Sequence, residues 1–457
     1  MFPLSMPSMR RPPRAVAGLA LCVALSLLGA VGKPSRPAGL GGTGVANGTD
    51  GLTVAAFAAA ARSLAPGGVR LTGLTVSRAP DGSLSATGTL DGAAFLLRFP
   101  AAWDHELVLF AQGYVTPGAP GGLDLPRPDE ATGAVLAAAF AQRLAYGYSA
   151  YSKVGYAVRA GMEDTELLRR LVGGVARLSR TYLLGKSMGG DIAIGLVETH
   201  PRAYAGLLSY CGVVAGWYEE LRYLTDFRVI YDYYTRFLGA PVALPGAGHA
   251  ALPDPALSAN TVVGAVGALF AGAPSRPAYA RAVAGIARVS GANPDAISYI
   301  TALLGDAYGL ADYQKTAGGN GYGNVGKVYR GSMNDKALNA GVERIAPAPA
   351  AVAYVKANYT PTGRFGARVL SIHNTIDPLV PYGQESLFRA RVAARGNEAN
   401  LVQQVVAPKP ASALFGGPAH CYFSPAQLTH AWDELRGWTL RGARPADGAD
   451  ITQSQGS

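Results

Sequence analysis

One serine in this 457-residue chain stands between glycines at the spacing Gly185-Lys186-Ser187-Met188-Gly189. A serine hydroxyl is a poor nucleophile alone. It needs a base within hydrogen-bond reach, and that base needs a group to orient it. Of the six histidines, His420 is the expected base. It sits in the glycine-rich loop FGGPAHCYF after the last expected strand, where a loop can reach back toward Ser187. His105 precedes a core strand, His200 lies beyond the helix after the serine, His249 falls in an insertion and His430 on the last helix. His373 closes a strand near the site but precedes the expected acid loop. The expected acid is Asp377, in the loop NTIDPLVP that follows the strand RVLSIHN. It would hold the imidazole tautomer and stabilise the imidazolium; its bland alternative is a turn-forming residue before Pro378.

These residues can act together only if the chain's elements place them at one edge. Thr181 to Leu184 reads as a short buried strand, and Asp191 to Glu198 as a helix, so Ser187 falls on a strand-to-helix turn. The stretches 71–79, 83–90 and 93–100 carry alternating or β-branched residues with Asp-Gly turns between them, predicting antiparallel strands. Leu107 to Ala111 predicts a buried central strand, 131–144 a helix, Tyr148 to Tyr151 a strand, 164–180 a helix and 205–212 a strand. This alternation predicts an α/β class protein with a mostly parallel central sheet and helices on both faces. It breaks at 216–350, which is helical in character, and resumes with a strand at 367–378, a helix at 384–394, a strand at 401–407 and a helix from Pro425 to about Arg441.

Composition narrows the setting. Hydrophobic residues make up 49% of the chain and charged residues 15%, ample for a large core. Arg10, Arg11 and Arg14 precede the apolar run Ala15 to Leu28, and cleavage after Ala30 or Gly32 fits a signal peptide at 1–32. Losing those three arginines lowers the formal charge from +10 to +7. The cations are scattered, so no nucleic-acid partner is expected, and after signal removal no stable membrane insertion is expected. The protein is read as exported, periplasmic or extracellular. No metal spacing occurs between the cysteines, and no metal is expected. The resulting division is a signal peptide at 1–32, a Gly/Pro-rich linker at 33–50, core at 51–215, a lid insertion at 216–350, core again at 351–441 and a flexible tail at 442–457.

The order Ser187, Asp377, His420 is the one α/β hydrolases use. From about residue 95 to 440 the chain resembles the α/β-hydrolase superfamily of serine hydrolases, and most of all secreted bacterial esterases of the prolyl-oligopeptidase-like branch. The matching pieces are LVLFAQGY, GYSAYSKVGYAV, GKSMGG, ETHPRAYAGLLSYCG, HNTIDPLVP and GGPAHCYF. The resemblance implies an α/β-hydrolase fold with a largely helical lid and hydrolysis of a small or polymeric ester, or of an amide, through an acyl-enzyme without a cofactor. The backbone N–H groups of Met188 and Tyr114 are the expected oxyanion donors. Gln112 stands where many such enzymes have histidine; it is a candidate for substrate contact, against a hydrogen bond holding the loop, which is its more expected role. Cys211 and Cys421 are expected to pair and pin the histidine loop; the third cysteine, Cys22, lies in the signal peptide. In tannase and feruloyl-esterase relatives a cysteine precedes the nucleophile, whereas here Lys186 does, with its ammonium expected in solvent. Trp217 and Tyr218 open an aromatic-rich lid segment and are candidates for the substrate wall, against ordinary lid packing. Glu219 and Glu220 could bind a substrate amine, the reading that keeps a serine peptidase as the alternative to an esterase. Acidic residues in a first helical turn also have a structural reason. A non-catalytic binding protein on the same fold is the remaining alternative.

Overall fold

The computed structural model describes residue 49 and residues 51–64, 68–119, 121–410 and 417–454. The expected signal peptide lies outside the described residues, as does the linker apart from Thr49.

Three strands, β1 (Leu71–Arg78), β2 (Leu84–Leu90) and β3 (Ala93–Phe99), form an antiparallel meander at one end of a nine-stranded sheet. The sheet continues through β5 (Ala145–Ser149), β4 (Glu106–Ala111), β6 (Arg180–Lys186), β7 (Gly206–Tyr210), β8 (Arg368–Asn374) and β9 (Leu401–Val406). From β5 to β9 every neighbouring pair is parallel. All six residues of β4 are buried, as a strand covered on both faces requires. Its side chains divide by parity. Leu107, Leu109 and Ala111 enter one core, with α1 (Val54–Ser63), α3 (Val158–Val175) and α4 (Met188–Thr199). Val108 and Phe110 enter the other, with α2 (Glu130–Ala141) and α12 (Pro425–Arg441).

Between β7 and β8 lie α5 (Trp217–Thr235), α6 (Ala259–Gly272), α7 (Pro277–Ser290), α8 (Ala296–Ala317), α9 (Asp335–Gly341) and α10 (Pro349–Ala357). The insertion has a core of its own, in which Phe227 and Ile230 pack with Val266, Ile286, Tyr299 and Leu303. The last crossover helix, α11 (Gly383–Ala393), joins β8 to β9.

Several local expectations shift. The strand expected at Tyr148 to Tyr151 runs earlier, over β5, and Tyr151 lies beyond it with φ of 59°. The helix expected from Asp164 begins at Val158, because that earlier turn also buries Val158 and Gly161 against the core. The alanine-rich α1 was not anticipated; it lacks a stripe of large apolar residues, though Thr53 caps it by accepting the Ala56 N–H. The tail was expected to be flexible, but residues 447–452 run along β9. Val405 N–H donates to Ala449 O at 2.9 Å and Ile451 N–H to Val405 O at 2.9 Å, and Ile451 is buried. Backbone pairing with an open strand supplies the order that a polar sequence does not advertise.

Candidate active site

Ser187 occupies the turn from β6 into α4 with φ 54° and ψ −123°, a region that non-glycine residues rarely adopt. The flanking glycines are required by close approach. A Cβ on Gly189 would fall 2.0 Å from Ala111 O, and one on Gly185 would fall 2.6 Å from Gly189 O. The turn is fixed by Ser187 N–H donating to Tyr210 O at 3.2 Å, and by the Ser187 carbonyl accepting from Gly190 N–H at 2.8 Å and Val213 N–H at 3.0 Å.

His420 Nε2 lies 3.0 Å from Ser187 Oγ, and its Nδ1 lies 2.8 and 2.9 Å from the two oxygens of Asp377. Asp377 Oδ1 also accepts the backbone N–H groups of Leu379 at 2.9 Å and Val380 at 3.0 Å. Burial pushes the Asp377 carboxyl up. The charge and hydrogen bond of His420, with help from His373 and Leu379 N–H, outweigh it and hold the group below the usual carboxylate range. An imidazole so held can take a hydroxyl proton without losing its orientation.

The histidine loop is tied at two points. Asn374, buried at the end of β8, donates to Tyr422 O at 3.0 Å and accepts Tyr422 N–H at 3.2 Å. Cys211 and Cys421 meet at disulfide distance, with Cα atoms 5.1 Å apart.

This is an α/β-hydrolase fold: the strand order, the β6–Ser187–α4 turn and the placement of the acid after β8 and the histidine after β9 together define it. Among solved structures the chain is similar to an esterase from Aspergillus oryzae, at 13% identity over 88% of this chain and 94% of that one, with a TM-score of 0.48. It is also similar to feruloyl esterase B from Aspergillus oryzae (14% identity, 85% and 91% covered, TM-score 0.47) and to the closed state of Candida antarctica lipase A (13%, 85% and 85%, 0.43). These likenesses do not confirm the narrower resemblance to the prolyl-oligopeptidase-like branch. No protein-family model and no curated protein matches the chain.

A cavity of about 650 Å³ opens onto Ser187 and His420. One side is the segment after β4, including Gly113, Tyr114, Asp124, Arg127 and Asp129, together with Lys186. The other is the lid: Trp217, Glu220 and Leu224 from α5, and Leu304, Gly305, Tyr308 and Gly309 from α8. Gly113 abuts Ser187, since a Cβ there would lie 3.2 Å from Ser187 Cβ. Tyr114 follows it, and Met188 is the first residue of α4, whose N–H has no preceding turn to bond.

The remaining sequence candidates divide. Gln112 lines the cavity and donates to Ala150 O at 3.2 Å. Trp217 lines it and stacks on Tyr114 with centroids 6.0 Å apart. Tyr218 does not line it; one residue along the helix turns it away, and its ring carries Lys356 and Arg222 instead. Glu219 and Glu220 part in the same way. Glu219 pairs with Arg222 at 3.0 Å and Arg391 at 3.5 Å, while Glu220 faces the cavity. Lys186 is not left in solvent: its Nζ lies 2.5 Å from Asp129 Oδ2 in the cavity wall. Asp129 caps α2 through Thr132 N–H, and although burial raises its carboxyl, Lys186 and Thr132 hold it below its ordinary value. Asp129, Asn374 and the α8 residues were not anticipated. The Asp-to-helix cap was a readable signal for Asp129, whereas nothing local marks the others.

Proposed function

We propose that this chain is an exported serine hydrolase that cleaves carboxylic esters through an acyl-enzyme. The observation that carries this reading is the unbroken line from Asp377 through both nitrogens of His420 to Ser187 Oγ. Ser187 Oγ attacks the ester carbonyl as His420 Nε2 takes its proton. The backbone N–H groups of Met188 and Tyr114 receive the developing oxyanion. His420 then protonates the leaving alcohol, and water repeats the sequence to release the acid. Asp377 keeps the proton-bearing Nδ1 toward itself and stabilises the imidazolium. Export is supported by the charged and apolar N-terminal stretch and by the cysteine pair, which an oxidising compartment would bridge. No helix among the described residues is long and apolar enough to cross a membrane.

The peptidase alternative drew on adjacent glutamates acting together. Since Glu219 is held by two arginines outside the cavity, the pair offers no joint amine site. Initial rates on short-chain p-nitrophenyl esters and on aminoacyl p-nitroanilides test the reading. Ester turnover lost in Ser187→Ala is expected, together with fluorophosphonate labelling of the wild type alone. Anilide turnover exceeding ester turnover would make the protein a peptidase. Neither activity, with no labelling, would favour a binding protein.

A further inference from the structure

Trp217, Glu220 and Leu224 recur at the i, i+3, i+7 spacing of one helix face, and that face lines the cavity beside Ser187. Leu304 and Tyr308 of α8 stand beside it, so the lid wall is apolar apart from Glu220, the tyrosine hydroxyl and the Trp217 indole N–H, which is buried without a partner among the described residues. Glu220 is only 2% exposed. Gln384 Nε2 donates to its Oε2 at 2.6 Å. The Gln384 amide cannot turn freely, because its Oε1 accepts Ala215 N–H at 3.0 Å. Glu220 Oε1 has no partner among the described residues. That oxygen stays accessible from the cavity, where water or a group of the bound substrate can pair with it.

The chemistry of that partner follows from the surroundings. Burial raises the Glu220 carboxyl well above its ordinary range and the Asp377 charge adds to this, while the Gln384 hydrogen bond only partly offsets them. The uncharged acid both donates and accepts a hydrogen bond, as a hydroxyl does. A cationic amine would require the ionised carboxylate that this wall disfavours.

We propose that Glu220 determines specificity by hydrogen-bonding a hydroxyl group on the part of the substrate that enters the lid-side half of the cavity. This rests on the serine-hydrolase reading above. A site built around a polar group rejects analogues that leave it unpaired.

Two series of esters test it, one placing a single hydroxyl on a phenylalkanoyl acyl group and the other on the alcohol, each with its deoxy parent. In the wild type the hydroxylated member of one series should be preferred by about tenfold or more in kcat/KM. Glu220→Leu should bring that ratio near one by lowering kcat/KM for the hydroxylated member; Glu220→Gln should retain part of the preference. The series that responds tells which half of the ester lies against the lid. A ratio near one in both series of the wild type, or a preference unchanged in Glu220→Leu, overturns the proposal. So does loss of the deoxy parent in both variants, which would assign Glu220 to the fold instead. No turnover of any ester by the wild type, with no labelling of Ser187, would sink the hydrolase reading and this proposal with it.

Discussion

His373 Nδ1 lies 3.3 Å from Glu385 Oε1, both residues being buried behind the Asp377 loop. The other ring nitrogen lies 3.0 Å from Val380 O. With an acceptor at each nitrogen, the ring is satisfied only when both carry protons. Burial lowers the His373 pKa, but Glu385, Asp377 and the Val380 carbonyl outweigh it, and the net direction is upward. Asp377 thus lies between two histidines, with His373 Nε2 3.9 Å from its Oδ2. A histidine whose folded pKa is raised contributes stability that is complete below the unfolded value near 6.5 and disappears as pH rises through the folded value. His373→Gln should therefore cost about 3–5 kcal/mol in mildly acidic buffer, and the deficit should shrink above neutrality. Urea unfolding of both proteins across that range checks it; a deficit that grows as pH rises would show a ring buried neutral, and a constant one a ring whose pKa folding does not shift.

Asp377→Asn should lower kcat by roughly 10³–10⁴-fold, because an amide can present the wrong partner to His420 Nδ1. Its effect on acid stability has a defined sign. The wild-type carboxyl is depressed in the folded state, so it contributes above the ordinary carboxylate range and that contribution is lost as pH falls through the folded value. The variant should show a shallower loss of stability in acid, measured by unfolding midpoints at decreasing pH. An equally steep loss would place the acid sensitivity elsewhere.

Reduction should loosen the histidine loop. If Cys211 and Cys421 are bridged, intact-mass measurement will show two fewer hydrogens than in the reduced chain. Dithiothreitol or Cys421→Ser should then cost about 2–4 kcal/mol. Activity should fall with little change in KM, since the bridge lies next to His420 rather than in the lid wall. An unchanged mass on reduction would mean that the pair is open.

Gly309 faces open space in the cavity wall, with no atom within 4 Å of a Cβ built there. Gly309→Ala should stabilise α8 by about 0.5–1 kcal/mol and leave activity on short esters intact. Gly309→Leu should fill part of the cavity and depress kcat/KM for long or bulky esters more than for acetates. Equal loss on all esters would mean that substrate does not reach this wall.

Much of the scaffold was legible because its signals are local. Short apolar runs such as LVLFA and TYLL have no polar face to show, as fits strands buried on both sides, and Pro425 after Ser424 marks a helix start that the structure keeps with a full capping box. The positions of Ser187, Asp377 and His420 were readable because each follows a strand. Long-range partners were not readable. Asn374 holds Tyr422 across 48 residues, and α8 reaches the cavity from within a lid whose helices carry no strand rhythm. The separation of Glu219 from Glu220, and of Trp217 from Tyr218, needed the helix phase, since a 100° step per residue decides which side chain faces the cavity.

The segment from Asp447 to Ile451 lies along β9, the last strand of the sheet, bridging at Val405 and Asp450, and Arg389 grips Asp447 at 2.7 Å. It occupies backbone groups that a neighbouring molecule could otherwise use. An exposed strand edge is a template for intermolecular pairing. A chain shortened to residue 441 would keep Ser187, Asp377 and His420 yet carry an adhesive border. Asp447 to Ile451 thus cover that border, and their removal should register first as concentration-dependent precipitation rather than as a loss of turnover.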